Sequence, residues 1–155
     1  MPAADTGLFA LLILSEFVGC AFFVGQSDWV VLTRRTEAYA YTLQHPESWS
    51  IEEDHDTAVF RPPGSEIGDG NITLVVYNPT ETPPLPVEIT YTTIRIIRVG
   101  DREIRVQKRD PASVTERYVA IVSEGDWVAE FRCFLTPDAD ATFDHMVGSF
   151  TFVAP

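Results

Sequence analysis

Hydrophobic and polar positions alternate along much of this chain, and the alternation is clearest near its C-terminal end. Trp127, Ala129, Phe131, Cys133 and Leu135 interleave with Val128, Glu130, Arg132, Phe134 and Thr136, the two-residue period of a strand with one face on a core. Thr136-Pro137 stops that strand. A Thr cap, Pro at the first helical position, then Asp138 and Asp140 predict a helix start, because free N–H groups and the dipole there favour oxygen and negative charge. Phe143, Met146, Val147 and Phe150 follow at i, i+3, i+4 and i+7, one apolar stripe on a short helix. Gly148 is expected to end the helix, and 149–153 to form a last short strand or an extended tail laid on the sheet. The pattern predicts an α+β fold, an antiparallel β-sheet meander covered by a C-terminal helix.

The preceding residues predict the rest of the meander. Alternation over 36–43 reads as a first strand, 45–49 (His45-Pro46-Glu47-Ser48-Trp49) as a turn, and 50–53 as the start of a second strand. A third strand, 56–60, is ended by Pro62-Pro63-Gly64. Residues 67–71 hold Gly68 and Gly70 and read as a loop, after which 72–77 is a strong β run. Pro79, Pro83, Pro84 and Pro86 make 78–86 a stiff surface connection. Residues 87–99 are β-rich, and Gly100-Asp101 leads into Arg102-Glu103-Ile104-Arg105-Val106 as a tight hairpin. Pro111 breaks the run, and 118–123 pairs with 127–135 across Glu124-Gly125-Asp126. Seven or eight strands are expected, each hairpin specifying its neighbour.

Residues 8–24 differ in kind, being apolar except for Ser15, Glu16 and a few small or thiol positions. Eleven Leu, Ile, Phe and Val residues in that run contribute roughly −3 to −7 kcal/mol of insertion free energy against about +3 for one central carboxylate. Insertion wins, and a soluble helix this apolar would need burial on nearly all sides. Phe17-Val18-Gly19-Cys20 resembles a bacterial lipobox, which makes Cys20 the candidate lipid-attachment residue. Two features point the other way: residues 1–7 carry Asp5 and no Lys or Arg, and Arg34 and Arg35 beyond the run favour a cytoplasmic C-terminal side. The division expected is 1–35 as signal or anchor segment with linker and 36–155 as one folded domain.

The motifs of that domain are similar to those of a known family. Leu43-x-His45-Pro46-x-x-Trp49-Ser50-Ile51, an isolated β run, two hairpins, and Phe143-x-x-Met146-x-x-Ser149-Phe150-x-Phe152 resemble the PsbP-like family over roughly 37–153. That family includes the extrinsic oxygen-evolving subunit of photosystem II and many bacterial lipoproteins. The resemblance implies an extracytoplasmic, non-enzymatic accessory protein that docks on a protein partner at the membrane or cell envelope. The family usually has a helix where this chain has its proline-rich connection.

Charge narrows the partners. A net charge of −12 and a pI near 4.5 repel phosphate, which argues against nucleic acid and anionic membrane surfaces. Two cysteines, Cys20 and Cys133, are too few for a disulfide framework. Positive charge is concentrated instead: Arg95, Arg98, Arg102, Arg105, Lys108 and Arg109 are six of the eleven basic residues. Two readings stand for this hairpin, a docking face led by Arg95, Arg98, Arg102 and Arg105, or charges that keep an exposed edge from aggregating.

Other polar clusters read as structure. His45 and Trp49 suit a turn whose Trp plugs one end of the core. The run Glu52-Glu53-Asp54-His55-Asp56 has a metal-ligand composition but suits a solvated hairpin tip. His145 reads as a surface residue, and Cys133 as a buried structural thiol. No nucleophile elbow and no phosphate loop is present, so neither catalysis, a cofactor nor a bound metal is expected. The alternative function is a small-ligand or divalent-cation binding protein using the sheet–helix seam or the 52–56 tip.

Overall fold

The computed structural model describes residues 28–65, 71–81, 90–110, 116–134 and 139–154. Residues 8–24, Cys20, the loop 67–70 and most of the proline-rich connection lie outside the described residues. No helix among those described is long and apolar enough to cross a membrane.

Seven strands form the larger sheet: β3 (Ser50–Asp54), β4 (Thr57–Arg61), β5 (Ile72–Tyr77), β6 (Thr90–Val99), β7 (Arg102–Asp110), β8 (Glu116–Glu124) and β9 (Trp127–Phe134). Their spatial order is β3-β4-β5-β9-β8-β7-β6. The sheet is two meanders joined where β5 lies antiparallel to β9, with Ile72 opposite Cys133 and Leu74 opposite Phe131. Alternation decides which side faces inward. Phe60, Ile72, Leu74, Phe131, Cys133, Ala120 and Val106 are at or near zero exposure and lie across from one another in register.

A second sheet contains β1 (Trp29–Arg35), β2 (Ala40–Pro46) and β10 (Thr151–Val153), with β2 in the middle. The helix α1 (Asp140–Ser149) packs beside β2 and reaches β6. Tyr41, Leu43, Phe143, Met146, Val147 and Phe150 from these elements share one core with the inner face of the seven-stranded sheet. Phe150 is the junction. Its ring lies 5.3 Å from Tyr41, 5.3 Å from Phe131 edge-on, and 4.9 Å from Phe152.

Several expectations change. Residues 29–35, assigned to the linker, are strand β1, so the folded unit extends at least to Trp29. Gly25-Gln26-Ser27-Asp28 separates Trp29-Val30-Val31-Leu32 from the apolar segment, a turn-type break that marks a new element. His45 and Pro46 belong to β2, opposite Val30 and Trp29, and the turn is 47–49. The helix is described from Asp140, after Ala139 with no side-chain cap, and the expected Thr136 cap and Pro137 lie outside the described residues. Gly148 lies inside the helix and does not end it. A side chain there would point toward Val99 and Ile97, whose methyl carbons lie 3.4 and 3.6 Å from the Cβ position. The single meander is replaced by two sheets with ten strands among the described residues.

The predicted hairpins are present. Gly100 and Gly125 take φ of 59° and 58°, the left-handed turn conformation that glycine adopts without strain.

Candidate docking surface

The β6–β7 ribbon carries the basic cluster, and its register sorts the four arginines onto two sides. Ile97 lies opposite the buried Ile104 and Arg95 opposite the buried Val106, so these positions face the helix and core. Ile96 opposite Arg105, and Arg98 opposite Glu103, therefore face outward.

On the inner side the arginines are occupied. Arg95 grips the Asp144 carboxylate of α1 through Nε at 3.0 Å and a terminal nitrogen at 2.7 Å, and its guanidinium lies 4.4 Å from the centre of the Tyr118 ring. Arg102 donates to the carbonyls of Gly148 at 3.2 Å and Phe150 at 2.9 Å, two of the oxygens that a helix end leaves without partners. Both residues therefore fasten α1 to the ribbon. Neither projects into solvent as a free charge, and the expected docking set of four contracts to Arg98 and Arg105.

On the outer side Arg98 pairs with Glu103 at 3.0 Å, both well exposed, and such a pair contributes little to stability. Arg105 is exposed there and has no acidic partner among the described residues, whereas the exposed Lys108, two residues from the buried Val106, belongs to the other side. Apolar side chains accompany them. Ile96 on the outer face is 43% exposed, and the ribbon also exposes Ile94 (43%) at its bulge and Val99 (40%) on the inner side opposite Arg102, three of the four large hydrophobics exposed among the described residues. Sequence reasoning missed these three because the run Ile94 to Val99 has no clean period. Ile94 is the extra residue of a bulge between Thr93 and Arg95, which explains the broken alternation. Beside the bulge a hollow of about 240 Å³ is lined by Thr92, Ile94, Lys108, Arg109 and Asp110.

The other candidates resolve into local structure. Glu52 pairs with Arg61, Glu53 with Arg34 at 3.1 Å, and Asp56 accepts the Tyr39 hydroxyl at 2.9 Å. The tip's carboxylates thus point to separate partners. Arg34, read above as a topology signal, also donates to the carbonyl of His55, whose φ of 39° marks the tight turn. His45 is buried in β2, with Nδ1 2.9 Å from the Pro46 carbonyl and its ring 5.7 Å from Phe60. His145 is exposed yet partnered, stacked 3.7 Å from Trp29 with Nε2 2.7 Å from the Gln44 side-chain oxygen. Burial pushes the Cys133 thiol up to about 11, with Asp140 adding to the effect. It is held protonated, and a protonated thiol is a poor nucleophile.

One cleft lies elsewhere. About 340 Å³ in size, it is lined by Tyr39, Tyr77 and Trp127 with Glu37, Asp56 and Glu81, and no basic side chain lines it.

No protein-family model matches the chain, and no curated protein matches it. Among solved structures, cyanobacterial PsbP (CyanoP) from Synechocystis sp. PCC 6803 aligns over 88% of this chain and 99% of its own length, with a TM-score of 0.50 and 13% identity. The fold is PsbP-like. At that identity the likeness belongs to backbone architecture, and the PsbP-like sheet and C-terminal helix are reached here with mostly different side chains. The resemblance read from the His45-Pro46 and Phe143 to Phe152 motifs therefore agrees with the three-dimensional comparison.

Proposed function

We propose that this chain is a non-enzymatic accessory or binding protein of PsbP-like type, acting outside the cytoplasm and docking on a protein partner through the outer face of the β6–β7 ribbon. The observation that carries this reading is local charge reversal joined to exposed apolar surface. On a chain of net charge −12, Arg98 and Arg105 stand beside the exposed Ile96 on one face. An acidic partner with an apolar centre matches that composition, and long-range attraction would orient it on approach.

Charge reversal at Arg98 and Arg105 tests the assignment. The double variant R98E/R105E should weaken association with envelope-derived partner fractions by tenfold or more at low salt, with the gap closing as salt rises. Unchanged association removes the ribbon as the docking face. The N-terminal segment is proposed as the anchor, with acylation at Cys20. Intact mass of the membrane-recovered protein should then show a species starting at Cys20 with added acyl mass, and an unmodified chain starting at Met1 contradicts it.

The cleft bounded by Tyr39 and Trp127 supports a second reading, a carrier of a cationic small ligand, since carboxylates and aromatic rings line it without a competing base. Calorimetric titration with Zn, Mn and Ca tests the metal form of this reading, and flat traces eliminate it.

A further inference from the structure

β6 ends the seven-stranded sheet, and among the described residues no strand pairs with its far edge. It is also ten residues long, the longest strand described. An edge of this length presents a row of backbone N–H and C=O groups ready to pair with another chain, and folded proteins ordinarily blunt such edges. The opposite edge of the same sheet is blunted: β3 is five residues long and carries Glu52, Glu53 and Asp54. β6 also carries two charges, Arg95 and Arg98, and a bulge, but it is twice as long and exposes Ile94 and Ile96 on either side of Arg95.

We infer that β6 is a strand-addition site, and that the occupant is an extended acidic segment of the partner protein, laid antiparallel or parallel along the free edge. This deepens the docking function proposed above and rests on it. Backbone pairing would supply affinity, and alternate side chains of the segment would supply specificity. On the outer face, carboxylates of the segment would meet Arg98 and Arg105, and its apolar residues, alternating to the other face, would lie along Ile97 and Val99. Charge decides between occupants. A second copy pairing β6 on β6 would bring Arg95 and Arg98 against their own kind, on two bodies each of net charge −12, and like charges across a strand pair are destabilising.

The probe is a blocked eight-residue peptide alternating Glu and Val, compared with the same peptide N-methylated at every residue. The two share side chains and charge, but the second has no N–H to donate. Titrated into the full chain and followed by amide NMR, the unmethylated peptide should shift and protect the β6 amides. It should bind at least tenfold more tightly than the methylated one and lose that binding in R98E/R105E. Equal binding of both peptides without β6 protection overturns strand addition while leaving charge-driven docking in place. Absence of binding by either also overturns it, the docking reading then being judged by the salt-sensitive association of R98E/R105E. β6 protection without peptide, accompanied by a doubled mass in light scattering, makes the occupant a second copy and overturns the inference.

Discussion

Arg95, Arg98, Arg102 and Arg105 are alike in sequence and unlike in structure. Arg95 is a clamp on Asp144, partly withdrawn from water and held from two nitrogens. Arg95→Ala should lower unfolding free energy by about 1–3 kcal/mol, since a charge-assisted pair and a ring contact are both removed. Arg105→Ala should stay within about 0.5 kcal/mol of the parent in urea unfolding, as surface substitutions do. Equal losses at the two positions would contradict the division into inner and outer sides. The cluster itself was visible in sequence. Its division was not, because Asp144 lies 49 residues from Arg95, and only the packing of α1 beside β6 brings the two together. Titration provides a second test at this scale. Burial pushes Tyr41 up to about 12, the nearby Arg34 opposing it, and Cys133 up to about 11. Both hold their protons more tightly when folded, so their stabilisation is complete below the ordinary values of 9 for the thiol and 10 for the phenol. It is lost as pH rises through the folded values, at about 1.4 kcal/mol per pH unit for each group. Urea unfolding between pH 8 and pH 11 should show that decline, and a flat profile would contradict the burial of both groups.

At the scale of elements, α1 depends on how closely β6 and β7 approach its last turn. Gly148 sits where the Val99 and Ile97 methyls come near, in helical rather than left-handed conformation. Gly148→Ala should therefore be tolerated, gaining up to about 1 kcal/mol from helix propensity. Gly148→Leu should cost about 1–3 kcal/mol by driving the helix off the ribbon. Stability of both variants by thermal unfolding checks the pair, and a harmless leucine would mean that the contact is loose. The glycine was legible as a helix breaker only because sequence position cannot distinguish a terminator from a close approach. Hairpins were the most legible elements, since Gly100-Asp101 and Glu124-Gly125-Asp126 carry their turn chemistry locally. β1 was legible in principle, since Gly25, Ser27 and Asp28 set Trp29-Val30-Val31-Leu32 apart from the apolar run, but its partner β2 is not named by any residue in it. The β5–β9 junction was hidden because that pairing is non-local, and no residue in either strand names its partner.

In the whole molecule, the buried Phe150 joins the two sheets at the core, alongside the His45–Phe60 and Arg34–Glu53 contacts. Phe150 meets Tyr41 and Phe152 of the small sheet and Phe131 of the large one. Phe150→Ala should cost about 3–5 kcal/mol and loosen the small sheet along with α1, which amide exchange across β2 and β10 would reveal. On a chain of net charge −12, six of the eleven basic residues collect on the ribbon, and that contrast carries the functional reading. Site-specific photo-crosslinking tests it most directly. A photoreactive residue placed at position 105, and separately at position 53 on the opposite sheet edge, would be activated in cells holding the full-length protein. The account predicts a discrete adduct from position 105 that disappears in the R98E background, and none from position 53. An adduct from position 53 alone, or adducts indifferent to the R98E change, would contradict docking through the β6–β7 ribbon.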